Sequence, residues 1–418
     1  MKKFLAMILA LVMALSLVAC GEKKGDTKTD DNQGDTVETT YKIAMITDYG
    51  DITDQSFNQT TYEACKAFAT DNGVEFNYFK PSGDNTADRV AMIERAVDQG
   101  YNVIVMPGYA FGGAIVEAAP QHKDVKFIAL DVSKGDLLEA GVAAAGEEYD
   151  YTPDNWDLAK YVDMSNVYCA IYQEELCGYM AGYAAVKLGY KNLGFLGGMA
   201  VPAVVRYGYG FVQGVDAAAA DMKLTDVKVN YIYGGQFNGD ADITAVMDTW
   251  YAGGTEVVFA CGGGIYTSAV DAAKKVDGKV VGVDVDQAGV IAKYAAGDGA
   301  DEATIAQYLD LTVTSAMKGL YPATYDTLND VINNGNWEKY VGKIETLGLV
   351  SGTDPEANYV QIPMGDGTQW SDSFTQDDYK AMVADMFDGK VTVSNDTKKA
   401  PTDFATAITV NDQGQIKG

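Results

Sequence analysis

Two lysines, Lys2 and Lys3, precede an apolar run over residues 4–18, and the chain then turns abruptly polar. A charged start followed by a greasy stretch is the layout of a secretory signal peptide. The run is shorter than the roughly 20 apolar residues of a membrane-spanning helix. Residues 21–40 are Lys, Asp, Thr, Gly, Glu, Asn and Gln with almost nothing apolar. Such a segment cannot bury enough surface to offset its chain entropy and is expected to be a flexible tether.

From residue 41 short apolar runs alternate with stretches of helical periodicity. Strands are predicted over 43–46, 74–79, 103–106 and 126–130, with helices over 59–72, 87–99 and 113–119 between them. That βαβαβαβ succession calls for a parallel sheet with helices on both faces. The pattern then restarts, with strands over 193–196, 227–232, 257–260 and 280–283 and helices over 205–219, 240–251 and 268–275. The expected organisation is a signal peptide (1–19), a Cys20-led tether (20–40), an N-terminal lobe (41–165), a C-terminal lobe (166–310) and crossover segments returning between the lobes (311–418). The fold class is α/β and two-lobed. Ligands of open parallel sheets bind beyond the carboxyl ends of the strands, so facing sheets would share one cleft.

Charge narrows the partners. The 418 residues carry a formal net charge of -28, which repels nucleic acid and anionic headgroups. Hydrophobic content of 47% allows a sizeable core, and the length suits two lobes. Cys65, Cys169, Cys177 and Cys261 form no CxxC pair and no zinc spacing. They are expected as buried free thiols, with a Cys169–Cys177 disulfide left open. His122 is the only histidine, expected at the surface, and a triad needing a second histidine is excluded. There is no phosphate-loop motif, and Gly208-Tyr209-Gly210 lacks dinucleotide spacing. No cofactor and no metal are implied.

The candidate chemistry lies at the strand ends. Asp48 follows the first strand directly, where a carboxylate needs a reason to sit, and Asp54, Ser56, Phe57 and Asn58 follow before a helix. Asp54 or Ser56 could equally cap that helix, and Phe57 could be core. Asp131 ends the fourth strand. Phe259 and the glycine run Gly262-Gly263-Gly264 end one strand of the second half, and Asp284 and Asp286 end another. Consecutive glycines let a ligand approach the backbone. Tyr207 is either a ligand contact or core.

Two resemblances follow. Leu17-Val18-Ala19-Cys20 with Gly21 after it looks like a bacterial lipobox, which implies cleavage before Cys20 and a lipid on its sulfur. The set Thr47-Asp48, Asp54-x-Ser56-Phe57-Asn58-Gln59, residues 127–131, Gly194-Phe195-Leu196-Gly197-Gly198-Met199 with Pro202, Gly282-Val283-Asp284-x-Asp286-Gln287 and Thr314-Ser315-x-x-Lys318 resembles, in order, the basic membrane protein (BMP) family. These are substrate-binding lipoproteins of ABC transporters, of purine nucleoside receptor type. The resemblance implies a type I periplasmic-binding-protein fold that binds rather than catalyses. Phe57 and Phe259 would sandwich the base. Asp48, Ser56 or Asn58, and Asp131 would address its edge. Asp284, Lys318 and the backbone at Gly264 would hold the ribose, with Tyr207 and Asp286 as further candidates. It also implies ABC permease and ATPase partners, a monomer, no nucleic acid, and lipid anchoring at the extracytoplasmic face of the cell membrane. A sugar or other small polar ligand is the alternative. A nucleoside hydrolase using Asp48, Asp51 and Asp54 ranks lower. The chain departs from the family pattern at residues 49–53, which are not the usual glycine-rich version, at 134–163, at 262–266 and after Tyr321.

Overall fold

The computed structural model describes residues 40–417; the expected signal peptide, Cys20 and nearly all of the expected tether lie outside them. The first half runs β1 (Lys42–Ile46), α1 (Phe57–Asn72), β2 (Glu75–Phe79), α2 (Thr86–Asp98), β3 (Val103–Pro107), α3 (Phe111–Ala118), β4 (Lys126–Leu130), α4 (Lys134–Ala144), α5 (Leu158–Tyr161) and β5 (Val167–Tyr172). The second runs α6 (Glu174–Lys187), β6 (Asn192–Gly197), α7 (Pro202–Asp221), β7 (Lys228–Tyr233), α8 (Ala241–Ala252), β8 (Val257–Cys261), α9 (Tyr266–Ala273), β9 (Lys279–Asp284), α10 (Ala288–Ala296), α11 (Glu302–Ala306) and β10 (Thr312–Lys318). The remainder holds α12 (Leu320–Ile332), β11 (Ile344–Leu347), β12 (Val360–Gln361), α13 (Gln376–Phe387) and β13 (Thr409–Gln415).

Two sheets result, ordered β11-β5-β4-β3-β1-β2 and β12-β10-β9-β8-β6-β7-β13. All pairings are parallel except β10 with β12. The alternating pattern therefore built the same doubly wound unit twice. Each strand order reverses between its first and third members (β1 and β3, β6 and β8), and ligand crevices of open α/β sheets open at that reversal.

The boundaries differ from expectation in two places. β5 pairs with β4 in the first sheet, so that sheet runs past residue 165. β10 pairs with β9 in the second, so the second sheet runs past residue 310. Both strands sit where the chain changes lobe. β11 pairs with β5 of the first sheet, and β12 and β13 lie at the two edges of the second.

The inner strands β1, β3, β4, β6, β8 and β9 are buried on both faces, as near-continuous apolar runs require, whereas the outer strands β2, β11 and β13 are largely exposed. All four cysteines within the described residues are buried free thiols, which disposes of the Cys169–Cys177 bridge. His122 is half-buried rather than on the surface, with Nε2 2.8 Å from Glu94. Among the described residues, no helix is long and apolar enough to cross a membrane, and no cluster of three or more His, Cys, Asp or Glu could hold a metal.

Candidate ligand-binding site

The strand tips of the two sheets meet around a cavity of about 480 Å³, within the range of small-molecule sites. From the first sheet come Asp48 after β1, Gly108 and Tyr109 after β3, and Asp131 after β4. From the second come Cys261 and the three glycines after β8, Asp284 at the end of β9, and Lys318 at the end of β10. Phe57 and Asn58 enter from the start of α1, and Tyr207 from α7.

Local chain geometry aims these groups. Asp48 Oδ1 accepts the amides of Tyr49 and Gly50 at 2.6 Å each, and Asn58 Nδ2 at 3.3 Å. Burial pushes its carboxyl above the ordinary range, and those donors pull the other way. Asn58 Oδ1 is buried without a partner. Asp54 serves as the helix cap: its carboxylate accepts the amides of Ser56, Asn58 and Gln59 at 2.9–3.0 Å. Asp131 and Asp284 both adopt left-handed backbone, φ +60° and +65°. That conformation costs most side chains about 1–2 kcal/mol, and Asp tolerates it. It turns each carboxylate off the strand axis toward the cleft.

A dense set of charges lies at the base of the cavity. Lys318 Nζ is 2.5 Å from Asp131 Oδ2, 3.6 Å from Glu174 Oε1 and 3.7 Å from Asp284 Oδ1. It also stands 4.6 Å from the centre of the Phe57 ring, a cation–π distance. Burial works to lower the Lys318 ammonium, but Asp131, Asp284 and Glu174 outweigh it and hold it well above the usual lysine value. Burial pushes Asp131 up, to about 7, against the pull of Lys318. Asp131 Oδ1 is buried without a partner. Arg206 Nε donates to Glu174 Oε2 at 2.7 Å beneath this layer.

Three of the expected site residues lie elsewhere. Phe259 does not line the cavity. It is fully buried, packed on Phe195, Tyr207 and Phe211 at 5.4–5.9 Å between ring centres. The cause is strand geometry: Cys261 is the tip of β8, and a residue two positions earlier keeps the same facing but sits inside the core. Ser56 is fully buried as well, and its hydroxyl donates to Asp284 Oδ2 at 2.5 Å from the opposite lobe. Asp286 is exposed, and its carboxylate accepts the Ala288 amide at the start of α10. Asp48, Phe57, Asn58, Asp131, Gly264, Asp284, Lys318 and Tyr207 all line the cavity. Tyr207 donates its hydroxyl to Asp284 Oδ1 at 3.1 Å.

Sequence reasoning missed Phe237, a cavity residue in the loop after β7. A side chain at Gly198 or Gly262 would collide with its ring. Those strand-tip glycines thus admit Phe237 to the backbone surface. The glycine run was the signal, read as room for a ligand when part of that room goes to an aromatic ring.

Paired doubly wound lobes closing on a polar and aromatic cavity define a two-lobed solute-binding protein. Residues 41–353 match the family model Bmp, ABC transporter substrate-binding protein PnrA-like, and the chain belongs to that family. It is similar to the ABC transporter nucleoside-binding protein BmpA of Lactococcus lactis subsp. cremoris, 25% identical over 406 residues, 94% of this chain and 99% of that one. An uncharacterized lipoprotein of Pyrococcus abyssi is 25% identical over 348 residues, covering 82% of this chain and 73% of its own. Among solved structures, an ABC transporter solute-binding protein from Aeropyrum pernix superposes with a TM-score of 0.58 at 18% identity, over 87% of this chain and 90% of that one. The protein is a substrate-binding component of an ABC transporter, not an enzyme.

Proposed function

We propose that the protein is a lipid-anchored receptor that captures a purine nucleoside outside the cell and delivers it to an ABC permease and its ATPase. The observation that carries this reading is the pairing, in one cavity, of aromatic faces with buried carboxylates that retain free acceptor capacity. Phe57 offers a ring to a flat base, and stacking of that kind contributes about 1–3 kcal/mol. Asp48, Asn58 and Asp131 address the base edge, whose N–H groups a carboxylate accepts strongly. Asp284, held by Tyr207 and Ser56, accepts the ribose hydroxyls, and Lys318 balances the charge. Asp48, Asp54, Asp131 and Asp284 all line the cavity, an acidic wall that disfavours a phosphorylated ligand. The nucleoside-binding relative supports the ligand class, and the lipoprotein relative supports the anchor at Cys20.

The test is thermal melting with a panel of nucleosides, nucleotides and sugars. Inosine, guanosine or adenosine should raise Tm, since ligand at about one hundred times its Kd adds about 2.7 kcal/mol to the folded state. Asp284→Asn keeps the left-handed backbone, which Asn also tolerates, and removes the charge. It should weaken nucleoside binding by about a hundredfold, in line with losing one half of a buried charged pair. A sugar that raises Tm where nucleosides do not would overturn the ligand assignment.

A further inference from the structure

Tyr49 follows Asp48 in the loop between β1 and α1 and lines the cavity. Its backbone and its ring do separate things. The amide donates to Asp48, a role any residue but proline could fill. The ring lines the cavity and stacks on Phe237, with ring centres 6.4 Å apart and planes 29° apart. Its hydroxyl reaches Met199 Sδ at 3.5 Å. Phe237 and Met199 belong to the second lobe and Tyr49 to the first, so this contact spans the cleft. Phe237 is set on backbone, against the glycine tips of β6 and β8, and a ring seated that way has little room to yield. Tyr49 flanks Asp48, placing the pair of rings beside the carboxylate proposed for the base edge.

We propose that Tyr49 is a specificity-determining residue: with Phe237 it closes an aromatic clamp across the cleft that retains the ligand and excludes bases carrying a bulky substituent. The clamp rests on the nucleoside reading of the cavity. Its own contribution is on ligand release and on size selection, not on whether nucleosides bind.

Stopped-flow and equilibrium binding of inosine and of N6-benzyladenosine, on the full chain and on Tyr49→Ala and Tyr49→Phe, test it. Tyr49→Ala should release inosine about tenfold faster, as loss of one aromatic contact and its cover implies, with association changed by no more than about twofold. The same variant should gain at least about tenfold in its preference for N6-benzyladenosine over inosine. Tyr49→Phe keeps the ring and should behave like the parent. Unchanged release and unchanged size preference in Tyr49→Ala, or a Phe variant as impaired as the Ala variant, would overturn the clamp while leaving the nucleoside reading intact. A parent chain that binds no nucleoside would remove both. Unaltered melting of the ligand-free Ala variant separates the clamp from a folding defect.

Discussion

Glu175 is the second residue of α6, with its side chain almost wholly enclosed and Oε2 lacking a partner. Burial, reinforced by the neighbouring Glu174, pushes its carboxyl from 4.5 up to about 7. Between those two values the folded chain keeps a proton that the unfolded chain has released. Folding is therefore favoured at low pH by this group, and the advantage is lost as pH rises through about 7. Glu175→Gln removes the effect. Its Tm should exceed the parent's at pH 8, by up to about 3 kcal/mol in stability, and the two should converge toward pH 4.5. A Tm difference that does not vary over that window would show that Glu175 is not the group responsible. At the same scale, three carboxylates that line the cavity stood out in the sequence: Asp48, Asp131 and Asp284 each lie at the end of an apolar strand, a place where charge is costly without a purpose. Phe259 and Ser56 misled for a shared reason. Chain order locates a residue near a strand tip or helix start, but one or two positions decide whether it faces solvent, core or the opposite lobe.

Among the elements, α6 and α7 make the closest helix contact that the site depends on. Gly178 and Gly182 of α6 lie against the backbone at Tyr207 and Phe211, and Gly210 and Gly214 of α7 lie against the backbone at Glu175 and Tyr179. This reciprocal packing brings Glu174 to Arg206 and sets Tyr207 beneath Asp284. On an exposed helix Gly→Ala would stabilise by about 1 kcal/mol. At Gly210 a methyl would run into the Glu175 carbonyl, and forced overpacking costs about 1–3 kcal/mol. Gly210→Ala should therefore lower stability in urea unfolding; a more stable variant would mean that the helices are not held this close. The alternating strands and helices were legible from hydrophobic period, and the observed helices begin within a few residues of expectation. β5 and β10 were not predicted as strands; both lie where the chain changes lobe, outside the two repeated strand–helix runs from which the other strands were read. β10 is harder still, since Thr312, Thr314 and Ser315 dilute its apolar signal. Phe237 lies in a loop, where no period applies, and only its contact with glycines distant in sequence reveals it.

At the scale of the whole molecule, contacts across the cleft include Ser56 to Asp284, Lys318 to Asp131, and Gln287 Nε2 to the Gln55 carbonyl at 3.1 Å. Of these residues Asp131, Asp284 and Lys318 also line the cavity, while Ser56, Gln55 and Gln287 lie outside it. A ligand held at Asp131, Asp284 and Lys318 would therefore act directly on the contacts that join the lobes, as in hinge closure. With a net charge of -28 the body should stand off an anionic surface, so the proposed attachment rests on Cys20 alone. Cys20→Ala should move the protein from the membrane fraction to the medium, read by fractionation and labelled palmitate; retention with membranes and label would exclude Cys20 as the anchor. The family match stops at residue 353, yet the segment after it supplies β12 and β13, which cover both outer strands of the second sheet. Bare strands invite pairing with another molecule. Those final sixty-odd residues, polar along β13, act as hems on the sheet, and shortened versions of this chain should be handled as aggregation hazards.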